Sequence, residues 1–274
     1  MLPASVADDP HAAVRRTSAV RFLYGLNPLA KMAAVLPALV LLVFVRDLAT
    51  PVAFLALSYL VLLVGVSLSI RAAVLLALAI PGAIAVLGFG FALWTDAALV
   101  ADTPPVLQIG AWTLYSGALE IGLATGLRLA AILALSLIPG LSTTGPDLVR
   151  ACVQQLRVPY RIGYTALAAF RFVPRFGHEL EIIRQAHRVR GAHRGRGPIA
   201  SLRRWASYLV PLLAGAIRHA ERVALAMDSR AFGAYPDRTE RHLVPFRPRD
   251  VVFIAAFWLA SAALFALFFP WTLS

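Results

Sequence analysis

Charged residues and thiols are scarce in this sequence of 274 residues. Only 15% of the residues are charged, one is a cysteine, Cys152, and one is a lysine, Lys31. A single cysteine excludes an intramolecular disulfide, so nothing here indicates an oxidising compartment. The first 28 residues have no apolar core segment and do not resemble a cleavable signal peptide. The motif GxxxxGK[ST] is also missing, so we expect no ATP binding through that phosphate loop.

Apolar residues, in contrast, are abundant. They make up 59% of the chain, against about 45–50% in soluble domains, and the mean hydropathy is +0.74. Such a composition predicts an all-α integral membrane protein with about five transmembrane helices. The apolar runs that are long enough to cross a bilayer are 29–45, 51–70, 72–94, 117–138 and 251–269.

The placement of basic residues predicts the orientation of these spans. Short loops that carry arginine and lysine stay on the cytoplasmic side. Basic residues precede the first span, and Arg71 separates the second from the third, whereas the 95–116 link has none. We therefore expect a cytoplasmic N-terminus, an external 95–116 link and a cytoplasmic 141–250 region. For the link itself, a short re-entrant helix is an alternative.

The excess of positive charge is confined to one region. Residues 150–250 hold nineteen arginines and seven acidic residues, which accounts for the whole net charge of +12. The sequence thus divides into four parts. They are an N-terminal cytoplasmic segment (1–28), a four-helix membrane part (29–140), a cytoplasmic helical domain (141–250) and a last transmembrane helix with the C-terminus (251–274).

Helical periodicity continues through the basic region. Residues 147–158 repeat apolar side chains at helical spacing. A second helix is predicted over 160–190 with a kink at Pro174, and a third over about 199–231 with an interruption at Pro211. Each long helix would measure about 45–50 Å. That length exceeds what a small compact domain needs, so we interpret both helices as levers.

The two long helices end alike. A cation suits the negative end of a helix, and glycine suits the position after its cap, so a purely structural role explains either end. A guanidinium beyond the last turn can also donate several hydrogen bonds into a groove of a partner. The candidate contact residues are Val189, Arg190 and Gly191 at the first end, and Ser229, Arg230 and Ala231 at the second.

The segments "RQAHRVRGA" (184–192) and "ALAMDSRAFG" (224–233) each place an arginine at the end of a predicted long helix. They resemble the paired x-Arg-x motifs of a known family, the transmembrane T component of energy-coupling-factor (ECF) transporters, which includes the permease subunits of cobalt, nickel and biotin importers. Residues 146–176 resemble the start of its coupling region. The segment "GLNPLAKM" (25–32) resembles its N-terminal signature, usually Leu-Asp-Pro-x-x-Lys, with Asn27 in place of the usual Asp. Ser229 stands where the family often has Ala.

This resemblance implies an energy-coupling membrane scaffold of a vitamin or transition-metal importer in a prokaryotic plasma membrane. Two ATP-binding-cassette (ABC) ATPase subunits would bind the ATP, receive Arg190 and Arg230, and move the coupling helices. A small substrate-binding membrane protein, the S component, would pack against the apolar faces. The chain itself would bind no cofactor or metal and would catalyse no reaction. The substrate stays open, because the resemblance places specificity in another polypeptide.

Further arginines have more than one interpretation. Arg194, Arg196, Arg203 and Arg204 are candidates for contact with a partner or with anionic lipid, where each would gain about 1 kcal/mol. Arginines between glycines are also found in arms that bind the minor groove of DNA, but membrane spans on both sides argue against a nucleic-acid partner. Arg128 lies inside the fourth span, where a charge indicates either a functional site or an internally paired structural residue.

Two other classes of function are open. A conventional ABC-type permease would line a substrate path with polar residues on several spans, and such residues are sparse here. An integral-membrane enzyme would need a Ser/His pair, a carboxylate cluster or metal ligands within the membrane. The predicted spans hold no aspartate or histidine, and Glu120 is their single acidic residue. The spacing of the histidines in the basic region fits no common metal-ligand pattern.

Overall fold

The computed structural model describes residues 21–96, 98, 100, 102–109, 112–191, 197–236, 239–240 and 242–270. The chain divides into two compact units. The first, called the membrane unit, contains the described residues up to Thr144 and those from Pro245 onward, and the second, called the helix-pair unit, is Gly145–Val244. A short 3-10 helix (Phe22–Gly25) precedes α1 (Pro28–Leu42), α2 (Ala49–Gly65), α3 (Ile70–Trp94), β1 (Pro105–Ile109), β2 (Trp112–Tyr115), α4 (Ser116–Ser142), α5 (Gly145–Gln155), α6 (Tyr160–Val189), α7 (Pro198–Asp228) and α8 (Pro248–Leu267).

The prediction of a helical membrane protein with additional helices is confirmed. Helices α3, α4 and α8 are long and apolar enough to cross a bilayer. Helices α1 and α2 are apolar but have 15 and 17 residues, so they are shorter than the predicted spans 29–45 and 51–70. Helix α2 begins at Ala49, where the Asp47 carboxylate accepts the backbone N–H of Thr50 at 2.7 Å, and it ends at Gly65, five residues before the predicted end of the span. The count of five spans stays a prediction.

Two features considered from the sequence are absent from the described residues. The link after α3, for which a short re-entrant helix was one possibility, forms an antiparallel hairpin instead, with Leu107 opposite Leu114. The reason is local, because consecutive prolines at 104 and 105 disfavour helix there. The interruption expected at Pro211 is also absent, since α7 is continuous from Pro198 to Asp228. A proline removes one helical hydrogen bond, and intact turns on both sides compensate for it. Helix α6 also continues through Pro174, and the kink expected there stays a prediction.

Close packing of α3 against α4 depends on glycine. A Cβ atom added at Gly122 would lie 2.3 Å from the carbonyl oxygen of Gly88, and one added at Gly126 would lie 2.9 Å from the Gly88 nitrogen. The two backbones are therefore in direct contact. Lipid tails are as apolar as leucine, so van der Waals contact of this kind, and not the hydrophobic effect, holds membrane helices together.

A buried polar cluster joins three helix ends of the membrane unit. Asp250, in the first turn of α8, accepts the backbone N–H of Asn27 at 2.8 Å and that of Arg247 at 2.7 Å. The Lys31 ammonium donates to the Ser142 carbonyl, at the end of α4, at 2.7 Å. Lys31 and Asp250 are each 1% exposed, and buried charges need such partners. The acid lies at a helix N-terminus and the cation at a C-terminus, as the helix dipole favours.

Gly122→Ala is expected to lower the thermal unfolding temperature of the purified protein in detergent. The new methyl group overlaps the backbone of α3, and overpacking of this kind costs about 1–3 kcal/mol. Gly140→Ala, in the same helix, is the matched control, because a Cβ there meets nothing within 4 Å and alanine favours helix. Equal shifts in the two variants would contradict the packing argument.

Candidate functional site

Helices α6 and α7 of the helix-pair unit pack against each other in opposite directions. Contacts of residues further along α6 are made with residues that come earlier in the segment formed by α7 and the residues after it. This is the order of contacts in an antiparallel pair. The start of α6 therefore lies beside the end of α7. The ring contacts are Tyr160 with Phe232 at 5.7 Å, Phe172 with His219 at 4.5 Å and His187 with Tyr208 at 5.2 Å between centroids.

This arrangement separates the two arginine-bearing helix ends. We call residues 189–191 the Arg190 tip and residues 229–231 the Arg230 tip. The Arg230 tip follows α7 and lies near the start of α6, whereas the Arg190 tip lies at the opposite end of α6. Helix α6 has 30 residues, and a helix of that length extends about 45 Å. The pair thus presents two distinct contact points and not one basic patch.

Both tips turn out of the helix in the same way. Gly191 has φ +63° and Ala231 has φ +55°, so each lies in the left-handed region directly after the arginine of its tip. The N–H of Ala231 donates to the Asp228 carbonyl at 2.9 Å, and that of Phe232 reaches the Met227 carbonyl at 3.0 Å. These two bonds make the second tip a Schellman turn. Ala231 adopts it in spite of its Cβ, which the left-handed region disfavours.

The side chains of both tips are accessible. Val189 is 89% exposed, and Arg190 and Arg230 are exposed as well. Neither guanidinium forms an ion pair or hydrogen bond with another residue that the structure describes. Each guanidinium carries five N–H donors in a planar fork. The tips are therefore suited to bind carboxylate or carbonyl groups of a partner.

One arginine near the Arg190 tip, Arg184, has partners inside the unit. The Arg184 guanidinium lies 5.0 Å from the centre of the Trp205 ring and 3.7 Å from the Glu181 carboxylate, as the i, i+3 spacing predicts. Arg203 is exposed and Arg204 is half-buried on the first turns of α7. Arg194 and Arg196, predicted as lipid or partner contacts, lie outside the described residues.

Arg128 has partners that the sequence did not reveal. Its Nη1 donates to the carbonyl of Val45 at 2.9 Å and to that of Val43 at 3.4 Å. Both carbonyls follow the last turn of α1, where backbone acceptors have no partner within the helix. The charge inside α4 is therefore paired within the membrane unit. Backbone acceptors leave no pattern in a sequence, which is why the partner was not predictable.

Sequence reasoning also missed the residues that surround the Arg230 tip. The Arg161 guanidinium donates to the Gly233 carbonyl, and the Tyr160 hydroxyl donates to the Tyr235 carbonyl at 2.6 Å. The aromatic character of positions 160 and 232 was the available signal. Their separation along the chain gave no reason to place them together.

These features define a class: a helical membrane protein with a separate unit whose antiparallel helices end in exposed arginines. The sequence profile of the cobalt transport protein family, CbiQ, matches residues 19–241. The chain belongs to this family, and the resemblance to the T component of ECF transporters is confirmed.

Individual relatives agree with this assignment. The energy-coupling factor transporter transmembrane protein EcfT of Bacillus subtilis (strain 168) is 26% identical over 174 residues, 61% of this chain and 66% of that protein. EcfT of Staphylococcus aureus (strain 04-02981) is 31% identical over 160 residues, 56% of this chain and 59% of that protein. A putative ABC transporter ATP-binding protein of Bifidobacterium longum (strain NCC 2705) is 28% identical over 178 residues, 62% of this chain and 23% of that protein. The chain thus matches less than two thirds of the length of these relatives.

Arg128→Leu is expected to destabilise the membrane unit, because the carbonyls of Val43 and Val45 lose their donor. Leaving buried polar groups unpaired costs about 1–3 kcal/mol. Thermal unfolding of the purified protein measures the loss. Arg71→Leu, which removes an exposed arginine of the same unit, should have little effect, and a comparable loss there would argue against a specific role of Arg128.

The two tips predict opposite effects of exchanging glycine and alanine. Ala231→Gly should slow hydrogen exchange of the Phe232 amide, because glycine removes a left-handed strain of about 1–2 kcal/mol. Gly191→Ala should cost a similar amount and speed exchange at the end of α6. Ala226→Gly, inside α7, is the control and should destabilise that helix by about 1 kcal/mol. If the amides at the end of α6 exchange more slowly in Gly191→Ala, the left-handed conformation assigned to position 191 is wrong.

Proposed function

We propose that this chain is the energy-coupling membrane scaffold of an ECF-type ABC importer. The observation that carries the proposal is the pair of exposed arginine tips at opposite ends of one antiparallel helix pair. Two well-separated cationic ends suit a partner with two equivalent subunits, each of which offers one groove. Membership of the cobalt transport family and the likeness to EcfT proteins support the same function.

The partners at the tips are two ABC ATPase subunits. Arg190 enters a groove on one and Arg230 enters a groove on the other, where the planar fork of arginine binds carboxylates or backbone carbonyls. ATP is bound and hydrolysed by these subunits, and the chain itself holds no cofactor and catalyses no reaction. The likeness to a putative ATP-binding protein of an ABC transporter supports this kind of partner. The N-terminus and residues 141–250 accordingly lie in the cytoplasm.

A third partner, the S component, packs on the apolar side of α7. Leu202, Leu209, Leu213 and Ile217 recur at helical spacing along this side, and they are between 53% and 72% exposed. Exposed apolar stripes of this size indicate a protein or membrane contact. Arg203 and Arg204, next to this stripe, contact anionic lipid, and Arg194 and Arg196 do the same. Specificity for a vitamin or a transition metal resides in the S component.

The charges within the membrane unit favour a scaffold over a permease. A permease that forms the substrate path uses charged or polar side chains to line it. Lys31, Arg128 and Asp250 instead bind backbone groups of neighbouring helices. Their role is to hold the membrane unit together while the helix-pair unit moves.

Arg190→Ala and Arg230→Ala are each expected to weaken binding of the two ATPase subunits, measured by co-elution and by affinity in detergent. Loss of a charge-assisted contact costs about 2 kcal/mol or more, roughly thirtyfold in affinity. The double variant should neither co-elute nor support uptake, and Arg→Lys should restore little, because lysine lacks the fork.

Arg222→Ala is the matched control, since Arg222 is an exposed arginine on α7 away from the tip. It should assemble and transport normally. If the Arg190→Ala, Arg230→Ala double variant also assembles and transports normally, the proposed function of the tips is wrong.

A further inference from the structure

The segment that follows the Arg230 tip is held against the start of α6. We infer that Tyr160, Arg161 and Phe232 are positioning residues for Arg230, which fix the tip in its binding geometry before the partner arrives. The inference rests on the proposed function, because it concerns how one of the two proposed ATPase contacts is prepared. In this role the three residues act through the tip and are assigned no contact with the partner of their own.

Three contacts converge within a few residues of Arg230. The Phe232 ring meets the Tyr160 ring edge-on, at 5.7 Å between centroids and an angle of 80°. The Tyr160 hydroxyl donates to the Tyr235 carbonyl at 2.6 Å, and the Arg161 guanidinium donates to the Gly233 carbonyl. One turn of α6 therefore holds the chain just after Arg230 through a ring and through two backbone carbonyls.

The support continues beyond the tip. The Gln154 side chain donates to the His242 carbonyl and accepts the Val244 N–H, both at 2.8 Å. Gln155 donates to the Val244 carbonyl at the same distance. These amide contacts anchor the return segment to α5, so the segment is held at its far end as well as beside the tip.

The tip needs this support because its backbone is unfavourable. Ala231 has φ +55°, a region that residues with a Cβ atom rarely occupy. A conformation of this kind persists where the surroundings hold it in place. A tip that is already ordered loses less conformational entropy when it binds. Loosening the three contacts should therefore weaken binding even though Arg230 itself is unchanged.

The first experiment measures the mobility of the Arg230 tip without a partner. Cys152 is the single cysteine, so Cys152→Ser provides a background in which Ser229→Cys carries a nitroxide label. Phe232→Ala and Arg161→Gln should increase the mobility of the label at position 229 in the electron paramagnetic resonance spectrum. A label attached through Val189→Cys, at the Arg190 tip, is the control and should keep its mobility. An unchanged spectrum at position 229, or equal changes at both positions, would overturn the inference.

The second experiment measures ATPase affinity when one tip has been removed. In the Arg190→Ala background, where binding depends on Arg230, Phe232→Ala should lower affinity about tenfold, as expected for loss of an aromatic pair and the order it provides. Tyr160→Phe, which keeps the ring and removes the hydroxyl, should cause a smaller loss. In the Arg230→Ala background neither change should have an effect. Equal losses in both backgrounds would show a general structural role and overturn the inference.

The outcomes separate the inference from the proposed function. If Phe232→Ala makes the label mobile but leaves the ATPase affinity normal, the inference is wrong. If Arg230→Ala still lowers the affinity in that case, the proposed function stands. No effect of Arg230→Ala on ATPase binding would reject the proposed function of this tip, and the inference with it. Tyr160→Phe is the mildest variant, and it keeps the test valid if Phe232→Ala does not fold.

Discussion

Lys31 and Asp250 are two buried charges that bind backbone groups at three helix ends. The ammonium holds the last carbonyl of α4, and the carboxylate holds the chain just before α1 and α8. The chain leaves for the helix-pair unit after Thr144 and returns at Pro245, so both connections lie within a few residues of this cluster. Removing either charge leaves buried groups without partners, which is strongly destabilising. The cluster therefore anchors the parts of the membrane unit from which the chain leaves and to which it returns.

Arginine serves opposite purposes in the two units. Within the membrane unit, Arg128 binds carbonyls at the end of α1, because nothing in a lipid environment would otherwise satisfy them. In the helix-pair unit, Arg190 and Arg230 leave their donors accessible to a partner. The chain directly after the second tip contacts the start of α6 through the Tyr160 ring and the Arg161 guanidinium. Rigid support of an exposed contact is a general means of reducing the entropic cost of association.

Asn27 illustrates how far a motif can be interpreted from its residues. Asn27 stands where the resembled signature usually has Asp, and its side chain accepts the N–H of Leu29 as the cap of α1. The carboxylate that accepts the backbone N–H of Asn27 belongs to Asp250, 223 positions later. The hairpin after α3, the shortened α1 and α2 and the unbroken helix through Pro211 differ from expectation for a related reason. Their limits depend on capping and pairing partners, which hydropathy does not report.

The sequence by itself determined the membrane class, the long helices of the basic region and the two helix ends with arginine. Those features are local, since they follow from hydropathy, helical period and the residues within one turn of a helix stop. Only the tertiary structure decided that the tips lie at opposite ends of an antiparallel pair. It alone also revealed that Arg128 caps α1 and that Arg161 holds a carbonyl 72 positions away. Contacts of this kind join distant residues or backbone atoms, and a single sequence carries no signal for them.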